Sequence, residues 1–142
     1  FDRTTEDLSV GDGSASQIVH MGAWKTCPTI TFTGFSVAPA VTYCRYTEVG
    51  KTVTVALVTG NGTSNATTFT LTLPVAASSV GKQFLPIAQV TNNGAFGTNA
   101  GLLKTNASST TADIYRNGDQ GATAWTNIGG KKANFVVTYQ AN

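Results

Sequence analysis

The sequence predicts an all-β protein: an antiparallel β-sandwich of jelly-roll-like form, with seven or eight strands and a short N-terminal stem. Two observations carry this. Apolar and polar residues alternate in several runs, with Val53, Val55 and Leu57 set against Thr52 and Thr54, Phe69, Leu71 and Leu73 against Thr68, Thr70 and Thr72, and Ala133, Phe135, Val137 and Tyr139 sharing one parity. That two-residue period is the mark of a strand with one face buried. The runs are separated by turn residues, Gly50 after Val49 and Asn61-Gly62 among them, and no stretch has the pattern of a substantial helix.

The elements follow in order. Residues 1–22 lack convincing alternation and contain Gly11-Asp12-Gly13-Ser14, so they read as an extended stem or linker, either packed along a symmetry axis or pinned to the domain by Ile18 and Met21. Residues 23–142 form the sandwich domain. Its first strands are expected at 29–33 and 40–47, separated by Gly34 and Pro39. The run from Arg45 to Pro74 reads as a three-strand meander, with Glu48 in its first turn and Pro74 as its stop. Residues 83–91 make a strand that Pro86 confines to an edge or a bulge. Strands at 100–104 and 111–116 follow, and the last alternating run closes the fold. Residues 92–98 are a glycine-rich loop around a stranded Phe96.

Composition narrows the function classes. A chain of 142 residues is long enough to build a core without staples. Only 11% of residues are charged, and the polarity of outward faces is left to Thr, Ser and Asn. No run is long and apolar enough to suggest membrane insertion. From residue 13 onward eight basic residues, Lys25, Arg45, Lys51, Lys82, Lys104, Arg116, Lys131 and Lys132, face only Glu48, Asp113 and Asp119. Such a surplus attracts acidic polymers. The bases are scattered singly apart from Lys131-Lys132, which does not make a nucleic-acid track. The chain opens on Phe1 rather than Met, as a piece of a longer polypeptide would.

The strand sequences Pro-Thr-Ile-Thr-Phe-Thr-Gly-Phe (28–35), Arg-Tyr-Thr-Glu-Val-Gly-Lys-Thr-Val-Thr-Val (45–55), Thr-Phe-Thr-Leu-Thr-Leu-Pro-Val-Ala (68–76) and Phe-Val-Val-Thr-Tyr-Gln-Ala (135–141) resemble the C-terminal β-sandwich domains of bacteriophage tail fibres and tail proteins. The resemblance spans residues 24–142. It implies a virion tail protein assembled in the host cytoplasm, a homotrimer, and adsorption to host surface polysaccharide or lipopolysaccharide. The other role it implies is a structural module that trimerises or caps a fibre or tailspike whose activity lies upstream. Cys27 and Cys44 lie near the starts of two expected strands and could meet across a ladder or never approach; assembly in the cytoplasm would keep them reduced, which favours free buried thiols over a bridge.

No catalytic constellation is legible. His20 is the only histidine, which leaves no hydrolytic triad and no zinc set, and there is no calcium loop. Of the carboxylates, Asp113 and Asp119 flank Asn117-Gly118 and read as turn residues rather than a glycosidase pair. The expectation is a protein without catalytic residues, metal or cofactor. Binding is the better prospect, because a sugar site on a sandwich needs an exposed aromatic to stack on a pyranose and short polar groups to hold its hydroxyls. The stretch 115–125 has that make-up: Trp125 and Tyr115 as aromatics, with Arg116, Asn117 and Asp119 as polar partners. Two placements are open for Trp125, an exposed platform or an anchor tying the loop to the core. Tyr43 and the Phe96 loop are further candidates, while Trp24 belongs to the stem junction.

Overall fold

The computed structural model describes residues 7–11, 16–20, 22–97, 100–120 and 123–142, and among them the alternating runs become fifteen strands with no helix. In chain order these are β1 (Asp7–Gly11), β2 (Ser16–His20), β3 (Lys25–Thr26), β4 (Phe32–Thr33), β5 (Phe35–Val37), β6 (Val41–Val49), β7 (Thr52–Thr59) and β8 (Gly62–Ser64). They continue with β9 (Thr70–Thr72), β10 (Phe84–Ile87), β11 (Gln89–Asn92), β12 (Ala95–Phe96), β13 (Gly101–Thr105), β14 (Thr111–Tyr115) and β15 (Gly130–Gln140). Five make one antiparallel sheet, in the order β10-β13-β14-β9-β4. The larger sheet has eight strands, with β12-β11-β15-β7-β6-β3 in sequence and β5 and β8 joined to it through β15. The expected antiparallel sandwich is the observed fold. Its strand count exceeds seven or eight because several expected runs are broken and shared between the sheets.

The alternation places side chains as read. Val53, Val55 and Leu57 of β7, Leu71 of β9, Ala112 and Ile114 of β14, and Ala133, Phe135, Val137 and Tyr139 of β15 are all buried between the sheets. The Tyr139 hydroxyl donates to the Val75 carbonyl at 2.8 Å, and burial raises its pKa above the usual tyrosine range. Pro86 sits in β10, an edge strand, where the missing N–H costs no ladder bond. The run 83–91 breaks at Ala88, so that β10 joins the smaller sheet and β11 the larger.

Four expectations are corrected. The three-strand meander does not form: β6 and β7 make the hairpin around Gly50, but β9 crosses to the other sheet, between β14 and β4, and β15 takes the place beside β7. Parity identifies an inward face without saying which of two sheets owns it. Glu48 lies within β6 rather than in the turn, opposite Val53, and its carboxylate accepts a hydrogen bond from Lys25 Nζ at 3.0 Å. The expected extended stem contains a hairpin, β1 against β2 with Asp7 opposite His20; the intervening residues 12–15 lie outside the described residues. Finally, Cys27 and Cys44 form a disulfide with Cα atoms 5.5 Å apart. The ladder explains it, because the pairing of Lys25 with Tyr46 and Thr26 with Arg45 brings Cys27 opposite Cys44 at the next step. Free thiols were inferred from an assembly compartment, and strand register is the more direct constraint.

The two sheets are tied together at one end by Lys131, counted above with the surface charges. It shares the inward parity of Ala133 and Phe135 and is fully buried. Its ammonium donates to the carbonyls of Ala66 at 3.0 Å and Thr68 at 2.7 Å, on the crossing between β8 and β9. The remaining surroundings are aromatic: Nζ lies 4.9 Å from the ring centroid of Phe35, 5.7 Å from that of Trp125 and 5.9 Å from that of Phe69. Gly34 makes room for this arrangement. At φ +91° it occupies the left-handed region, and a Cβ there would strike the Thr68 carbonyl oxygen beside Lys131.

Burial pushes the Lys131 pKa down from 10.5 to about 8. Between those values the unfolded chain binds more protons than the folded one, so this residue adds stability as pH rises from about 8 to 10.5. The full shift corresponds to roughly 3 kcal/mol. Urea unfolding of wild type and Lys131→Met across that range should show the wild type gaining stability relative to the variant by about that amount. Parallel profiles would mean the amine titrates as an exposed one.

Candidate functional site

The outward face of the smaller sheet gathers polar and aromatic groups by register alone. Because Ala112 and Ile114 point inward, Asp113 and Tyr115 of β14 point out. Pairing aligns Asp113 with Lys104 on β13 and Thr70 on β9, and the row continues to Phe84 at one edge and Thr33 at the other. A second row sets Tyr115 beside Leu102 and Pro86.

Lys104 binds these rows together. Its Nζ lies 2.5 Å from the Asp113 carboxylate, donates to the Tyr115 hydroxyl at 2.9 Å and sits 5.4 Å from the Tyr115 ring centroid. The hydrogen bonds with Asp113 and then Tyr115 outweigh burial and raise the Lys104 pKa, so its ammonium stays charged through the neutral range. Farther along, the Thr33 and Thr70 hydroxyls hydrogen-bond to each other.

Beside Tyr115 this face becomes concave. A cleft of about 400 Å³ opens between β9, the end of β14 and residues 123–125, lined by Thr68, Thr70, Asp113, Tyr115 and Thr123 with Trp125 behind. Its lining combines an aromatic wall, hydroxyls and a carboxylate. Among the described residues no cluster of His, Cys, Asp or Glu could hold a metal ion.

Trp125 takes the anchoring placement. It is 4% exposed, its indole N–H donates to the Ile114 carbonyl at 2.7 Å, and its ring packs on Phe69 with centroids 5.4 Å apart. A ring so enclosed cannot offer an open face to a ligand, so of the two open placements the exposed platform is not taken, and Tyr115 is the more accessible aromatic of the pair. The buried indole fixes the far end of the loop, and Arg116 holds it near the start by donating to the Ala124 carbonyl at 3.2 Å.

The other expected residues are not gathered at this cleft. Arg116 and Asn117 line a second, smaller cleft with Asn92 and Phe96. Asp119 is exposed on the loop between. Tyr43, half-exposed on β6 of the opposite sheet, lines an open hollow with Pro28, Ile30 and the disulfide cysteines. Lys104, Asp113, Thr70 and Thr123 were missed as site residues. The signal for the first three lay in parity, since residues flanking the inward Leu103, Ile114 and Leu71 must point out, but their alignment needed the pairing of distant strands.

No family model matches the chain, and neither a curated protein nor a solved structure matches it.

The anchoring role of Trp125 is testable. Trp125→Ala should cost about 3–5 kcal/mol, measured by chemical denaturation. A loss below about 1 kcal/mol would return the residue to the surface.

Proposed function

We propose that this chain is a non-catalytic head domain of a bacteriophage tail fibre or tail protein, binding host surface polysaccharide or lipopolysaccharide in the cleft beside Tyr115. The observation that supports the reading best is the convergence there of an accessible aromatic, threonine hydroxyls and the Lys104–Asp113 pair. A pyranose presents an apolar face ringed by hydroxyls, and these groups complement both. The partly buried Tyr115 provides the face contact, Asp113 accepts from hydroxyls, and Thr68, Thr70 and Thr123 donate or accept as the ligand requires. The domain works in the virion tail, as a homotrimer.

A structural role as a trimerising or capping module is the second reading, and one observation favours it. The outer face of the larger sheet exposes Val136 at 67%, beside Ala56 on β7 and near half-exposed Val58 and Tyr43. An apolar strip of this kind suits contact between subunits.

Adsorption of the purified chain to bacterial cells, with circular dichroism as the control for folding, tests the first reading. Tyr115→Ala should weaken adsorption about tenfold, equivalent to about 1.4 kcal/mol, with the fold intact. Wild-type adsorption by a folded Tyr115→Ala protein would move binding away from this cleft. Failure of the wild type to adsorb to any strain, together with a trimer in sedimentation that Val136→Glu dissolves, would favour the structural module.

A further inference from the structure

The second cleft has a chemistry of its own. It is lined by Arg116 and Asn117, which follow Tyr115 of the first cleft in the chain, has a volume of about 150 Å³, and is bounded by the β11–β12 hairpin. Phe96 on that hairpin is 68% exposed. Register aligns it with Thr91 and Lys132, and the Lys132 ammonium lies 5.7 Å from its ring centroid. Arg116 lines the cleft directly. One of its nitrogens is used on the Ala124 carbonyl, and the planar guanidinium has five N–H donors in all.

The amides complete the set. Asn92 is held by its Oδ1, which accepts from both the N–H and the hydroxyl of Thr126 at 3.0 Å, and its side-chain amide carries N–H donors as well. Asn117 adds a second amide. Among the described residues no carboxylate lines this cleft. Of the three acids after residue 13, Glu48 is engaged by Lys25 and Asp113 by Lys104, and Asp119 lies two residues beyond Asn117 on the exposed loop.

We infer that the Phe96–Arg116–Asn117 cleft, with Lys132 at its rim, is a subsite for an anionic sugar unit, one that carries a carboxylate or a phosphate. This rests on the glycan-binding reading above and specifies its ligand as an acidic polysaccharide. The exposed ring takes the apolar face of the sugar, the guanidinium takes the anion in its fork, and the asparagine amides donate to the remaining oxygens. The two clefts divide the work across one loop: Tyr115 opens on the first and Arg116, its neighbour, on the second. A chain of sugars crossing the loop would place a unit in each.

The experiment uses surface polysaccharide purified from a strain to which the chain adsorbs. It is compared in three forms: native, carboxyl-reduced by carbodiimide and borohydride, and dephosphorylated by hydrofluoric acid. Wild-type protein should lose tenfold or more in affinity with one treatment, and which one identifies the anion. Phe96→Ala and Lys132→Gln should bind the native polymer tenfold or more weakly than wild type and lose most of the discrimination between native and treated forms. Neither substitution removes a buried group, so both proteins should fold as wild type. If wild type binds all three forms alike while Tyr115→Ala weakens every one, the anionic subsite is overturned and the glycan-binding reading stands. Polymer binding indifferent to Tyr115 and lost in the Phe96 and Lys132 variants would leave the subsite standing and overturn the first cleft, and adsorption to no strain would overturn both.

Discussion

A buried lysine that has no carboxylate partner among the described residues is the constraint from which the end of the protein carrying the proposed site is built. An ammonium taken from water must recover its hydrogen bonds, and Lys131 does so on two carbonyls of the crossing that carries the chain from one sheet to the other. The aromatic rings around it supply negative π faces where an acid would otherwise be needed. One of those rings belongs to Phe35, one to Phe69 and one to Trp125, so a single cation holds three separate segments in register. The neighbouring ring contacts, Phe35 edge-on to Phe69 with centroids at 4.9 Å and Phe69 against Trp125, make the cluster continuous.

The cleft is built on this cluster. Thr68 lends Lys131 its carbonyl and lines the cleft, and Trp125 packs against the cation and forms the cleft's back wall. The position of the floor and of the loop is therefore fixed from beneath, by groups that no ligand touches. At the surface the order is maintained by the ladder, which aligns Lys104, Asp113 and Thr70 across three strands. Binding groups carried on paired strands need little ordering when a ligand arrives, and that is the advantage of a site on a sheet face over one made of loop residues alone.

Much of the fold was legible because strand parity is a local property. The inward positions of β7, β9 and β15 follow from alternation, and Pro86 identified an edge. What parity cannot supply is the partner of each strand, and the misplacement of β9 came from that gap. Lys131 was hidden for a different reason: its charge argued for the surface while its position, two residues before Ala133, argued for the core. Position prevailed because carbonyls and rings from distant segments converge on it, which no local pattern announces. The candidate site was legible in part. Tyr115, expected from composition, lines the cleft, yet Trp125 could not be assigned to core or surface without Ile114, whose carbonyl it binds. The disulfide followed from register rather than from any spacing of the two cysteines.

The central claim is that ligand binds on the smaller sheet, over the face that Lys131 supports from within. Amide chemical-shift mapping of the isotope-labelled chain, titrated with surface polysaccharide from a strain to which it adsorbs, tests this most directly. The account predicts perturbations concentrated at Thr68, Thr70, Asp113, Tyr115 and Thr123, extending across the loop to Arg116 and Phe96. Perturbations confined to the opposite sheet, around Tyr43, Val58 and Val136, would contradict it.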